Sequence, residues 1–239
     1  MLDVAAEATE RLGARDGRRV VVLLDEFQEV ERLGGTDLMK RLRAQFQRQP
    51  HVSYLFLGSR PSLMWALFTT SAAAFYRFAV PAELPTIPAE AWRAYLARKA
   101  ALYGVTVSDA AVTVLLERTG GHPWSVMEVI SEAWMARGDA QAITAEHVVV
   151  GFGRALARLT PVYEAEWAGA RQARYADQVL LAVAADGTPA TASVSHTARS
   201  RAVRHLLDAA LIERVGRGSY RLVEPMFGAW LMGAEGRQP

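Results

Sequence analysis

The chain has 239 residues, 51% of them hydrophobic and 22% charged, with a formal net charge of only +2. That length can bury one good core and support roughly two or three subdomains, and that charge is too small for bulk electrostatics to drive nucleic-acid binding. With no cysteine there is no disulfide, no thiolate zinc site and no cysteine nucleophile.

The opening MLDVAAEATERLGARDG lacks the apolar core of a signal peptide, and no apolar run reaches the ~18 residues of a membrane span. A cytoplasmic protein with no membrane partner is expected. Val20–Leu24 is short, unbroken and β-branched, the pattern of a strand buried on both faces of a parallel sheet. It ends in two adjacent carboxylates, Asp25 and Glu26, which by strand alternation point different ways from its end. Gly34-Gly35 then breaks the chain. Thr36 or Asp37 caps a predicted helix with Leu38, Met39, Leu42 and Phe46 on one face, and Pro50 closes it. His51–Leu57 predicts a second buried strand ending in Gly58-Ser59. Strand, helix, strand is a βαβ unit, which brings Asp25 and Ser59 to the same edge of the sheet, where open α/β sheets bind ligands.

Beyond Pro81, Pro85 and Pro88 the pattern becomes helical. Pro88 introduces AEAWRAYLARKAALYG, Ser108 caps a helix ended by Gly120-Gly121, Pro123 opens another, and Thr144 caps a fourth that runs towards Trp167. From Arg174, YADQVLLAVAADG and ARSRAVRHLLDAALIERV predict two further helices, and GRGSYRLV a tight turn and a strand. That is winged-helix order. The expected organisation is a partial α/β core over residues 1–81, a helical domain over 82–170 and a winged helix over 171–239.

Phosphoryl chemistry suits the carboxylate pair: one holds the water shell of Mg²⁺ while its neighbour serves as general base. The alternative is a strand that simply ends in solvated acids. The five histidines (His51, His122, His147, His196, His205) have no HExxH or other ligand spacing, and LGSRPS is no nucleophile elbow.

VVVLLDEFQEV, YLFLGSRPSLMWALF, FYRFAV and GGHPWSV follow one another in an order that resembles the archaeal-type ATPases, in the STAND-like branch of the AAA+ P-loop proteins. The resemblance implies an α/β P-loop ATPase core, a helical lid and a C-terminal winged helix, with ATP and Mg²⁺ as cofactors. It makes DEFQ a Walker B motif, with Asp25 on the metal and Glu26 as catalytic base. Ser59 takes the sensor position facing the γ-phosphate. Tyr76-Arg77 resembles the tyrosine-glycine-arginine element without its glycine, and makes Arg77 an arginine sensor. Gly121-His122-Pro123 resembles the lid motif whose proline packs near adenine, so His122 and Pro123 are cofactor candidates. The final EPMFGAWL resembles the end of the family's winged helix. Each residue has a plainer reading as well: Ser59 as a strand-end cap, Arg77 as a solvated arginine beside an aromatic pair, and His122-Pro123 as a helix start.

A P-loop requires G-x-x-x-x-G-K-[ST], and none occurs in the sequence. Three explanations are open: a piece of a longer ATPase, a degenerate paralogue, or half of a split enzyme. The first is the expected one. The expected function is then an ATP-binding, AAA+-type regulatory or signalling switch that does not hydrolyse ATP alone. Nucleotide binds if the P-loop portion is supplied, and the exposed strand edge and apolar face expected of a two-strand remnant of a parallel sheet invite self-association or a protein partner. The other reading is a winged-helix DNA-binding regulator with the ATPase-like part as a dimerisation or sensing body. There Arg199, Arg201 and Arg204 at the recognition helix, with Arg217 and Arg221 in the wing, meet phosphates. Asp208, Glu213 and Glu224 interleave with them and weigh against that reading.

Overall fold

The computed structural model describes residues 2–234; residue 1 and residues 235–239, the outer ends of the first and third expected segments, lie outside them. The chain divides into two compact units, Met1–Leu84 and Pro85–Pro239.

The first unit runs α1 (Leu2–Asp16), β1 (Val20–Leu24), α2 (Val30–Phe46), β2 (Val52–Phe56) and α3 (Pro61–Thr69). β1 and β2 pair in parallel, Val20 opposite Val52 and Leu24 opposite Phe56. This is the expected βαβ unit. α2 starts earlier than expected, at Val30, and Gly35 bends it with φ 61 and ψ −164, a backbone conformation that glycine adopts freely. Met39, Leu42 and Phe46 of α2 are buried with Phe27, Leu67, Phe68 and Phe75 in an aromatic-rich core. Phe56 lies at the centre of that core, with the Phe27 ring 4.5 Å away and the Phe75 ring at 5.6 Å.

The apolar pattern of β1 predicts burial on both faces, and the structure corrects this to one buried face and one exposed apolar face, as expected of a two-strand remnant. Leu24, Tyr54 and Phe56 pack on the aromatic core, and Gly13 of α1 lies against Val20 on that same side of the strand. On the opposite face Val21 and Leu23 are each 59% exposed and Leu55 is 48% exposed. A parallel sheet ordinarily has helices on both faces, and here the described residues cover one.

The second unit is mainly helical: α4 (Ala89–Ala101), α5 (Asp109–Thr119), α6 (Pro123–Ala136), α7 (Ala145–Ala170), α8 (Ala176–Asp186), α9 (His196–Asp208) and α10 (Pro225–Ala234). A two-residue parallel pair, β3 (Thr106–Val107) with β4 (Ala142–Ile143), joins the loops before α5 and α7. Two predicted caps are present: Ser108 accepts from the amide of Ala111, and Thr144 forms a reciprocal capping box with His147. The expected cap at Thr36 or Asp37 is not, because both lie inside α2, whose N-cap residue is Glu29. One continuous core runs from Trp92 in α4 to Leu231 in α10, so residues on both sides of position 170 share it.

The predicted helix through ARSRAVRHLLDAALIERV is also corrected. α9 stops at Asp208, Ala210 turns the chain at φ 55, and β5 (Ile212–Gly216) pairs antiparallel with β6 (Ser219–Leu222). Leu211, Ile212 and Val215 fit a helical spacing, but the strand lets Ile212 reach the core at 2% exposure while pairing with Leu222. Among the described residues no helix is long and apolar enough to cross a membrane.

Candidate functional site at the carboxylate turn

Hydrogen bonds zip the two parallel strands to their C-terminal ends: Leu57 N–H donates to Leu24 C=O at 2.8 Å, and Phe27 N–H to Leu57 C=O at 2.9 Å. Between those bonds the chain turns at Asp25-Glu26. The expected strand-like alternation of the two carboxylates is replaced by a turn, because burying Phe27 in the aromatic core forces the chain round. Glu26 takes φ 49 and ψ 40, a left-handed conformation uncommon for a non-glycine residue. Asp25 Oδ1 accepts the Glu26 N–H at 3.0 Å.

The Glu26 carboxylate is held from two sides. Ser59 Oγ donates to Glu26 Oε2 at 2.8 Å, and the amide of Gln28 donates to the same oxygen. The Ser59 hydroxyl and then the Gln28 amide hold its pKa below the ordinary carboxylate value against the opposing effect of burial, with lesser help from the Ser59 backbone amide and the charge of Arg60. Glu26 is therefore ionised at neutral pH, the state a general base requires. Gln28 is 6% exposed, and its Oε1 has no hydrogen-bond partner among the described residues.

Two residues outside the sequence-derived site belong to this constellation, Gln28 and Arg60. Arg60 reaches Glu29 Oε1 at 3.5 Å, and Arg32 reaches Glu29 Oε2 at 2.6 Å. Beside them a groove of about 520 Å³ runs between α2 and α3, lined by Gln28, Glu29, Arg32, Arg60, Leu63 and Leu67 among others. The GSR triplet after β2 was the signal for Arg60; Gln28 ends the DEFQ stretch, but nothing in that stretch assigns it a role beside Glu26.

The remaining candidates divide between the units. Arg77 is exposed at φ 56 with its guanidinium 5.1 Å from the Tyr76 ring centre, and its amide donates to Phe68 C=O at 2.9 Å. His122 and Pro123 belong to the second unit, where His122 is the N-cap residue of α6 and Pro123 its first residue. Of the five arginines, Arg199 donates to the carbonyls of Ala192 and Val194, and Arg221 pairs with Glu213. Arg201, Arg204 and Arg217 are exposed.

The residues fit one end of a metal–nucleotide complex. An exposed carboxylate at Asp25 beside an ionised Glu26 suits Mg²⁺, which keeps most of its waters and takes one or two carboxylates. Among the described residues no cluster of three or more His, Cys, Asp or Glu side chains is placed to hold a metal by itself. For the triphosphate the sequence has no glycine-rich cradle ending in GK[ST].

No protein-family model matches the sequence, and no curated protein matches it. Among solved structures, a Walker-type ATPase of Pyrococcus abyssi matches at TM-score 0.73 and 17% identity, over 97% of this chain and 68% of that one. A RuvB mutant of Thermotoga maritima matches at TM-score 0.48 and 16% identity, over 86% of this chain and 68% of that one. The RuvB Holliday junction branch migration motor of the same organism matches at TM-score 0.46 and 16% identity, over 90% of this chain and 72% of that one. The chain is thus a mixed α/β protein whose fold resembles that of a Walker-type P-loop ATPase.

Proposed function

We propose that the chain is the Walker B, lid and winged-helix portion of an AAA+-type ATPase of the STAND-like, archaeal-type branch, acting as a nucleotide-dependent regulatory switch in the cytoplasm. The observation that carries this reading is the Ser59–Glu26 hydrogen bond at the C-terminal edge of a parallel βαβ unit, in a chain with the fold of a Walker-type ATPase. The division into core (1–81), lid (82–170) and winged helix (171–239) belongs to the same proposal. In it Asp25 holds the water shell of Mg²⁺, Glu26 is the base, Ser59 faces the terminal phosphate and Arg77 is an arginine sensor. His122 and Pro123 are the lid's nucleotide contacts.

The open sheet face has one proposed occupant, a strand–helix segment that carries the phosphate-binding loop. Its support is the apolar surface of Val21, Leu23 and Leu55 on a parallel sheet, and the part of the Pyrococcus ATPase that this chain does not match. Without such a segment the same surface favours self-association. Nucleotide turnover tests the reading. The chain alone is expected to hydrolyse ATP no faster than background, because the backbone cradle and lysine that stabilise the transition state are absent from it. With the loop segment present, Glu26→Gln is expected to keep binding and suppress turnover, and Asp25→Ala to weaken Mg²⁺-dependent binding as well. Identical effects of the two substitutions would contradict the division of roles.

A second reading, DNA binding by the α9–hairpin segment, is favoured by one observation: Arg201, Arg204 and Arg217 are exposed with no partner among the described residues.

A further inference from the structure

Glu224 lies between β6 and α10, and its carboxylate gathers donors from three segments. Oε1 accepts from the hydroxyl of Ser125 in α6 and from the amide of Met226 at 3.1 Å. Oε2 accepts from the hydroxyl of Tyr163 in α7 at 2.6 Å and from the amide of Phe227 at 2.7 Å. The two backbone bonds cap α10 at its first turn. The two side-chain bonds reach 99 and 61 residues back along the chain.

The α6 arm continues. Ser125 has one proton, which goes to Glu224, so its oxygen accepts from His122 Nδ1 at 3.1 Å. The Gly120–Pro123 turn meets the same segment by packing. Gly120 sits at φ 58, and a Cβ built on it would lie 3.1 Å from Pro225 Cγ. On the turn's other side, Trp92 Nε1 donates to Gly121 C=O at 3.1 Å. α10 is itself seated deeply, with Met226 and Phe227 at 0% and 1% exposure. Burial, and then the hydrogen bond to Glu224, raise the Tyr163 pKa, and burial followed by the Glu224 charge raises that of Glu166.

We infer that Glu224 is a latch that couples the Gly120–Pro123 turn to the seating of α10 and the hairpin before it. A cap alone needs only the Met226 and Phe227 amides. The bonds from Ser125 and Tyr163 make the same carboxylate answer to α6 and α7, so a ligand that moves the turn must move α10 or break the latch. That the ligand at the turn is a nucleotide rests on the proposed function; the latch does not.

Hydrogen–deuterium exchange on the full chain without nucleotide tests it, so the outcome is separate from whether ATP binds. Ser125→Ala is expected to raise exchange about tenfold across residues 226–231, a factor equivalent to ~1.4 kcal/mol and within reach of one hydrogen bond to a charged group. Glu224→Gln is expected to raise exchange at the amides of His122 and Val126, with Tyr163→Phe giving the same pattern more weakly. Changes confined to the substituted element in each variant would overturn the latch. If Glu224→Gln unfolds the second unit, seen as lost protection in α5 and α7, the Ser125→Ala result decides alone.

Discussion

Ser59 donates its hydroxyl to Glu26 across 2.8 Å, joining the ends of two parallel strands 33 residues apart in sequence. That bond is the largest influence lowering the Glu26 pKa. Ser59→Ala is therefore expected to move the Glu26 titration up towards the ordinary carboxylate range, as read by side-chain carboxyl NMR. A carboxyl with a depressed folded pKa adds stability that is present above its unfolded value and is lost as pH falls through the folded one. The variant should accordingly be the less stable protein near neutral pH and equal to the wild type in strong acid. An unmoved titration would assign the lowering to Gln28 instead.

Gly151 lies where α7 crosses α6. A Cβ there would sit 2.5 Å from the Ala133 nitrogen and 2.9 Å from the Val129 oxygen, and both are backbone atoms that cannot swing aside. Gly151→Ala should destabilise the second unit by about 1–3 kcal/mol through overpacking. Gly153→Ala in the same helix has nothing within 4 Å and should stabilise by up to about 1 kcal/mol through helix propensity. Denaturant midpoints check the pair, which should shift in opposite directions.

Glu166 titrates above the ordinary carboxylate value because of burial and the charge of Glu224. For a raised folded pKa the contribution to stability is complete below the unfolded value and lost as pH rises through the folded one. Glu166→Gln should then stabilise the protein near pH 7 and do little near pH 4. The gain should stay below about 1 kcal/mol, because the group is only half buried and water screens it. Thermal melts at both pH values measure this.

Much of the fold was legible in the sequence where the signal was local. Val20–Leu24 and the two caps, Ser108 and Thr144, sit where pattern and hydrogen-bonding chemistry put them. The strand Ile212–Gly216 was not legible, because Leu211, Ile212 and Val215 are spaced for a helix and only pairing with β6 decides between the two. α1 and α3 were missed altogether: α3 is a nine-residue helix, and α1, though 15 residues long, carries no clear apolar stripe and packs on elements later in the chain. At the candidate site, Asp25, Glu26 and Ser59 stood out by type and position. Gln28 did not, since only the folded turn brings its amide to Glu26. The Glu224 latch depends on contacts across most of the second unit, which no local pattern encodes.

If the α9–hairpin segment binds duplex DNA, Arg201, Arg204 and Arg217 are the residues free to meet phosphates. About three contacts would give a log–log salt slope near −3, which the triple Arg→Ala variant should flatten to near zero. Equal slopes for the two proteins are the expected result, because Arg199 and Arg221 are already engaged within the fold. A slope lost in the variant would favour the DNA-binding reading.

In the proposed function the Asp25–Glu26 turn and Ser59 form the metal and phosphate edge of a nucleotide site. Amide NMR of the full chain titrated with Mg²⁺ and ATP tests it most directly. Without a phosphate cradle the affinity should be weak, with Kd on the order of 1 mM, worth about −4 kcal/mol. The predicted result is a set of shifts at Asp25, Glu26, Gly58, Ser59 and Arg60 that require Mg²⁺ and disappear in Asp25→Ala. Shifts that leave these amides unmoved, or that persist unchanged in Asp25→Ala, would mean that Asp25, Glu26 and Ser59 do not form that edge.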